Sequence, residues 1–387
     1  MRIAMVTGEY PPMEGGVGAF THQLGLALRA AGHEVHVLTT GDGAAGSEEG
    51  LSVHRKVLRW DLRGLIEARR QLRSIAPDVT NLQYEPAAYG MKGAITLARE
   101  VLMAGSPCPL AVTYHDLLPP YLFPKAGPLR QTSVWHLARS ADGAIVTNPE
   151  DFSTLDEQLA GSKVPVRQIP IGSNISATPP PGFDRDHWRA ARGYAAGDLV
   201  IGFFGFLNRT KGIEALLAAV AQLASDRVPA RLLFIGGRTG TSDATNAAYA
   251  DEVDQRIAAL GLGPRVQWTG FAAPEEVSAA LKSIDLCALP YREGANLRHG
   301  TLHAALAHGC AIVTTRAATP AADLEAANAV ALVAPGDPQA LAAAIRALAA
   351  DQSLRETLGR RAERFAQRFT WPAIAAETVA FFSELRR

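Results

Sequence analysis

Neither sign of charge is in excess: 38 Lys and Arg stand against 38 Asp and Glu, a formal net charge of zero. A protein that follows a phosphate backbone needs a basic surplus, so nucleic-acid binding is not expected. Cysteine is scarce. Cys108, Cys287 and Cys310 are scattered through apolar surroundings, with no metal spacing and no disulfide framework, which points to a reducing cytoplasm. Long apolar runs are missing too. The start, MRIAMVTGEYPP, is too short in its apolar part for a signal peptide, and no later run approaches a membrane span. Low-complexity tracts and fixed-period repeats are also lacking. What remains, 387 residues of which 48% are hydrophobic and 20% charged, describes a soluble globular chain. It is too long for one core of usual size, so two domains are expected.

The stretch Leu289–Thr315, LPYREGANLRHGTLHAALAHGCAIVTT, reads as strand, loop, helix, strand. Its helix formers, Thr301 to Ala307, stop at Gly309, where a C′ glycine belongs. The loop Arg292–Gly300 should leave free N–H groups at a helix N-terminus beside Arg298, His299 and Thr301, a setting suited to an anion. Near the start, Arg2–Thr7 reads as a buried strand, Gly8–Gly18 as a glycine-rich loop, Ala19–Ala31 as a helix and Glu34–Thr40 as a second strand. Gly16-Val17-Gly18-Ala19-Phe20-Thr21 approaches a dinucleotide fingerprint, but Thr21 replaces its third glycine. Thr39-Thr40 closes the second strand where an acidic residue would hold a ribose. NAD is a weak reading; a loop that lets a substrate approach its backbone stays open.

Val53–Ile75 carries Arg55, Lys56, Arg59, Arg63, Arg69, Arg70 and Arg73 over an apolar face at roughly helical spacing. A solvated surface helix is the first reading and a membrane-surface or anionic-acceptor patch the second. Further strands are expected at Asp78–Gln83, Pro109–Tyr114 and Gly143–Thr147, with helices at Tyr89–Met103 and Leu129–Arg139. His115 and Asp116 follow a strand, the address at which open α/β sheets bind ligands. Ser173–Gly182, SNISATPPPG, reads as the interdomain linker. Asp184-Arg185-Asp186 is taken as linker surface, because no apolar strand precedes it to hold a metal-binding pair.

In the second half, strands are expected at Leu199–Phe204, Arg231–Ile235, Val266–Thr269, Ile284–Leu289 and near Ala329–Val333. Helices are expected at Ile213–Ala224, Gln339–Ala350, Leu354–Arg368 and Trp371–Leu385. Arg209 and Lys211 sit in a loop at a helix N-terminus, where cations oppose the dipole unless an anion shares the site. That placement suggests phosphate.

Taken in order, GEYPPMEGGVGAF, the YHD after a mid-domain strand, IPIGSNI, FFGFLNRTKGIEALLAAV, LLFIGG, VQWTGF, LAHGCAIVTT and LVAPGDPQALAAAI resemble the retaining glycosyltransferases of family 4 (glycosyl transferases group 1) over nearly the whole chain. The resemblance implies an α/β fold of GT-B architecture: two doubly wound, Rossmann-like parallel-sheet domains facing a cleft. Residues 1–175 would form the acceptor side, 176–370 the donor domain, and 371–387 a helix packing back on the first domain. It also implies transfer of a sugar, with retention, from a nucleotide-diphosphate sugar to an acceptor that is a saccharide, a lipid-linked compound or a small molecule. No metal and no cofactor beyond the donor would be needed, since cations and a helix N-terminus can stabilise the departing diphosphate. The location implied is cytoplasmic, extending to peripheral contact with the inner membrane face through residues 55–73.

Residue by residue, Arg209 and Lys211 resemble the pair that grips the diphosphate, and His115 the residue beside the reacting sugar. Gly16, flanked by Gly15 and Gly18, resembles the glycine-loop position that approaches the substrates, and the backbone near Phe271 the base reader. Asp116, Gly205, Gly236 and the loop residues Glu293, Asn296, Leu297, Arg298, His299, Gly300 and Thr301 complete the expected donor and substrate site. The chain departs from the pattern in places. Counted back from Gly309, the family's two glutamates fall on Asn296 and Ala304, unless the longer loop lets Glu293 serve as the first. His303 and Thr301 are the candidates to replace the second, which holds the donor ribose. Phe206 stands where an Arg is usual. Architecture alone does not establish chemistry, so two alternatives stand: a non-catalytic GT-B nucleotide-sugar-binding protein, and a GT-B epimerase or phosphorylase.

Overall fold

Strands that read as unbroken apolar runs must be covered on both faces, and parallel sheets meet that requirement. The computed structural model describes residues 1–13, 15–43, 46–121, 127–238, 244–319 and 321–386, without the side chains of 244–247. It divides into two units, Met1–Gly172 with Thr370–Arg387, and Ser173–Phe369. The Pro-rich stretch Ser173–Gly182 lies within the second unit, where Ile175 packs against the core.

The first unit contains β1 (Arg2–Val6), β2 (Glu34–Thr40), β3 (Gly46–Glu48), β4 (Leu51–Val57), β5 (Val79–Tyr84), β6 (Leu110–Tyr114), β7 (Gly143–Val146) and β8 (Val166–Gln168). Among the described residues they form one sheet in the order β3-β4-β2-β1-β5-β6-β7-β8, parallel except where β3 meets β4. The winding reverses between β1 and β5, and such a switch point opens a crevice at the strands' carboxyl ends. Registers Val6↔Leu82 and Tyr84↔Tyr114 set the segments leaving β1, β5 and β6 side by side there. The helix Trp371–Leu385 buries Ile374, Ala375, Phe381 and Phe382 in this unit's core. Gly143 makes room for it: a Cβ there would lie 2.8 Å from the Phe381 ring and from Leu385.

Two expectations need correction. Val53–Val57 belongs to β4, and the helix starts only at Leu62, where the Asp61 carboxylate accepts the N–H groups of Arg63 and Gly64. That helix buries Leu65, Ala68, Leu72 and Ile75 and turns Arg63, Arg70 and Arg73 to solvent. The long helix expected at Tyr89–Met103 is instead a chain of short turns at Ala87–Tyr89, Gly93–Leu97 and Ala98–Leu102. Gly90 and Met91, at φ 61° and 60°, turn left-handed and break it.

The second unit contains β9 (Leu199–Phe204), β10 (Ala230–Ile235), β11 (Val266–Trp268), β12 (Leu286–Leu289), β13 (Ile312–Thr315) and β14 (Ala331–Val333). Their order, β11-β10-β9-β12-β13-β14, is parallel throughout and has its switch point between β9 and β12. The helix Ile213–Ser225 covers one face with Leu216, Leu217, Val220 and Leu223. Asp184 accepts the His187 N–H and caps a short helix, Arg185–Ala191, so the Asp-Arg-Asp run is a helix start.

Candidate active site

At the switch point of the second unit, two loops are locked together by glycines. Gly205 leaves β9 at φ 126°, and a Cβ on it would lie 2.8 Å from Thr301 Cγ2. Gly212, at φ 67°, ends the same loop; its Cβ would lie 1.9 Å from the Pro290 carbonyl oxygen, which follows β12. Only glycine fits either place. Gly236, at φ 108°, donates its N–H to Thr269 Oγ1 at 3.0 Å and bridges Gly270. The floor beside Gly205 is therefore bare backbone. Phe271 stands beyond it, 68% exposed.

Cations face that floor. Lys211 Nζ lies 4.9 Å from the centroid of the Tyr291 ring. Tyr291 is held by a 2.6 Å hydrogen bond between its hydroxyl and Thr301 Oγ1, and by the His299 ring stacked at 4.0 Å. Burial, and then the neighbouring Arg298 charge, lower the Lys211 pKa to about 8. Burial, followed by Lys211, Arg298 and His303, pushes His299 down to about 2, so its ring is neutral. Lys211, over the Tyr291 ring, thus feels the charge of the exposed Arg298, which precedes the helix Gly300–Ala307. Arg209 is differently placed: its guanidinium lies 2.7 Å from a Glu252 carboxylate oxygen and over the Tyr249 ring.

The rest of the loop shapes this pocket. Asn296 Oδ1 accepts the Arg298 N–H at 2.8 Å, and Gly300 opens the helix. Glu293 is exposed, with its carboxylate 3.4 Å from the Arg298 guanidinium. The Leu297 side chain is buried, and its carbonyl accepts from His303 Nε2 at 2.7 Å. His303 is itself 2% exposed and packs edge-on to Phe369. Its polar nitrogen closes the loop from inside, so it is removed as a ribose ligand. Ala304 is buried in the core.

In the first unit, Glu9 was missed by the sequence reading. Its carboxylate Oε1 accepts the N–H groups of Val17 and Gly18 at 2.9 and 3.1 Å, filling the start of the helix Gly16–Ala30. Gly15 and Gly18 are small for that reason: a Cβ would strike the Glu9 carboxylate at 2.1 Å in one case and its backbone at 3.1 Å in the other. Gly16 faces open space. His115 follows β6, and its Nε2 is 3.0 Å from Gln83 Oε1. The Phe20 ring meets it edge-on at 4.8 Å and is backed by Trp371 at 5.4 Å. Burial holds His115 down to about 3. Asp116 Oδ1 accepts the Leu118 N–H. Glu85, just past β5, was also missed; burial, then Glu9 and Asp116, push its carboxyl up to about 8. Groups so displaced gather at functional sites, which makes Glu85 a candidate site residue.

Two doubly wound units with glycine-lined switch points define the GT-B architecture, and known proteins agree. Solved structures of the same fold include the sucrose-phosphate synthase of Thermosynechococcus elongatus, with TM-score 0.78 and 21% identity over 99% of this chain and 98% of that one. Anabaena HepE in complex with UDP and glucose aligns with TM-score 0.76 and 20% identity over 99% and 100%.

Residues 15–172 match the glycosyl transferase 4-like domain and residues 198–351 the glycosyl transferases group 1 model. Each half of the chain thus matches a glycosyltransferase family model. A curated relative, the D-inositol 3-phosphate glycosyltransferase of Corynebacterium jeikeium, is 30% identical over 252 residues, covering 64% of this chain and 58% of the relative. The alpha-monoglucosyldiacylglycerol synthase of Streptococcus pneumoniae is 24% identical over 303 residues, 74% of this chain and 65% of that protein. The chain thus spans about three-fifths of the length of these relatives. No described helix is long and apolar enough to cross a membrane.

Proposed function

We propose that the protein transfers a sugar from a nucleotide-diphosphate-sugar donor to an acceptor, with retained anomeric configuration. The observation that carries this reading is Lys211 beside Arg298 at the β9/β12 switch point, over a floor without side chains. Two cations and the first turn of a helix suit the charge that gathers on a departing diphosphate. Anabaena HepE was solved with UDP and with UDP-glucose, so uridine diphosphate is the nucleotide to test first. The exposed ring of Phe271 is a surface on which a base could stack.

For the acceptor, the relatives' names offer an inositol phosphate and a glucosyldiacylglycerol. A cavity of about 590 Å³ in the first unit, lined by Asp61, Met91, Lys92, Tyr121 and Arg130, supports an acceptor with an anionic group. Exposed Leu58 and Leu62, beside Arg59 and Arg63, would suit a protein working in the cytoplasm against the inner membrane face. The second reading, a binder without turnover, is favoured by Ala304 alone.

A thermal-shift series decides whether the donor site exists. UDP at a hundred times its dissociation constant should add about 2.7 kcal/mol of stability, and uridine should add almost none at equal concentration. No shift with any nucleoside diphosphate would end the donor reading. Release of glucose from UDP-glucose then separates enzyme from binder. Turnover in excess chelator should match the untreated rate, because the proposed stabilisation comes from Lys211 and Arg298. A loss of activity restored by magnesium or manganese would show otherwise.

A further inference from the structure

Central strands of a doubly wound sheet are built from apolar side chains, yet β5 carries Asn81 and Gln83, both 0% exposed. A buried amide without hydrogen bonds is costly, so such a pair survives only when bonded throughout. Here the bonds have a direction. Asn81 lies 3.3 Å from the Ala111 carbonyl oxygen and 2.9 Å from Thr113 Oγ1. A carbonyl can only accept, so the NH₂ end of Asn81 must face it. Asn81 Oδ1 is then the acceptor for the Gln83 amide. That leaves Gln83 Oε1 facing His115 Nε2 at 3.0 Å, and the imidazole must supply the proton.

We propose that Asn81 and Gln83 are positioning residues that hold His115 as its uncharged Nε2–H tautomer, making Nδ1 the hydrogen-bond acceptor for a substrate hydroxyl. The use of that acceptor rests on the reading of His115 as a residue at the reacting sugar. Burial, which keeps the ring neutral, acts in the same direction. The Phe20 edge adds no charge, and among the described residues the titratable groups at this end of the sheet include Glu9, Glu85, Asp116 and the phenols of Tyr84 and Tyr89. A neutral imidazole with a free lone pair does not oppose the positive charge that grows on the sugar as its bond to phosphate breaks. An imidazolium would.

The tautomer can be read directly from ¹⁵N–¹H correlation spectra of the full chain, with the His115 signals assigned by His115→Gln. An Nε2–H pattern from about pH 5.5 to 9 is expected. An Nδ1–H pattern, or an imidazolium at neutral pH, would overturn the relay whatever the activity. Its use is tested by UDP-glucose hydrolysis. Wild type should show no acid limb from His115 in that range. Gln83→Glu sets a carboxylate against Nε2 and raises the ring's pKa, so turnover should fall about tenfold at the acid end and recover as pH rises, with KM little changed. Gln83→Met should lower turnover at every pH without a new titration. If Gln83→Glu has a protonated His115 in the spectrum and the wild-type pH profile, the positioning role is refuted. Wild type that hydrolyses no nucleotide sugar would sink the transferase reading, and the spectrum would still decide the relay.

Discussion

Replacing Arg209 and Lys211 together by alanine will weaken nucleoside diphosphate binding by about 2–4 kcal/mol, roughly 30- to 1000-fold. Most of the loss will come from Lys211. Its ammonium is held among Tyr291, His299 and Arg298 with its pKa lowered to about 8, so its charge is costly until an anion arrives. Arg209 already has Glu252 as a partner and would exchange one oxyanion for another. The single variants should therefore differ, and Glu252→Gln should bind UDP at least as tightly as wild type. Titration calorimetry with UDP and with uridine reads each case; uridine should be indifferent.

The pH dependence has a definite sign. Diphosphate needs the protonated amine, so affinity should fall as pH rises through about 8. Stability of the free protein moves the other way. The folded pKa lies below the ordinary lysine value of 10.5, so the unfolded chain binds more protons between the two values. The cost of burying the charge is present in full below about pH 8 and is relieved across that window. If UDP binds the double variant as it binds wild type, the diphosphate site lies elsewhere.

Much of the fold was legible because its signals are local. The apolar runs at Leu199–Phe204 and Arg231–Ile235, each followed by glycine, could only be buried strands meeting a loop, and β9 and β10 are there. The misplaced cations in the Asn208–Gly212 loop suggested an anion site by sequence alone. What the sequence did not disclose is which charge is already spent. Arg209 and Lys211 look equivalent two residues apart, and only the fold brings Glu252 to one and Tyr291 to the other. His303 looked like a free polar group on a helix, yet register turns it inward to the Leu297 carbonyl.

The first unit was harder for a related reason. Glu9 sits in a loop that was read for its glycines, and its carboxylate reaches the Val17 and Gly18 N–H groups only after the chain has turned back. Asn81 and Gln83 did carry a usable signal, two carboxamides inside a strand expected to be buried. The sequence reading took Asp78–Gln83 only as a strand and did not weigh its two amides. The helix expected at Tyr89–Met103 failed at Gly90-Met91, where left-handed backbone outweighs the helix propensity of the flanking residues.

His115→Ala will lower turnover by about 10²–10³-fold while leaving UDP affinity near wild type. The motivation is its address and its chemistry. It leaves β6 at the carboxyl edge of the sheet, beside the β1/β5 switch point, and its ring is neutral and hydrogen-bonded at Nε2. A contact that strengthens only as the glycosyl–phosphate bond breaks is felt in the rate, because ground-state binding never used it. The competing account is that His115 is packing. Its ring meets Phe20, which in turn meets Trp371, so truncation would leave a void and an unmatched Gln83 oxygen. Both accounts predict some loss of melting temperature, since an unsatisfied buried acceptor costs about 1–3 kcal/mol. They part on the rate per folded molecule. Melting temperature, UDP affinity and UDP-glucose hydrolysis should be measured on one preparation, well below its melting point. A destabilised variant with the full wild-type rate would take His115 out of the active site.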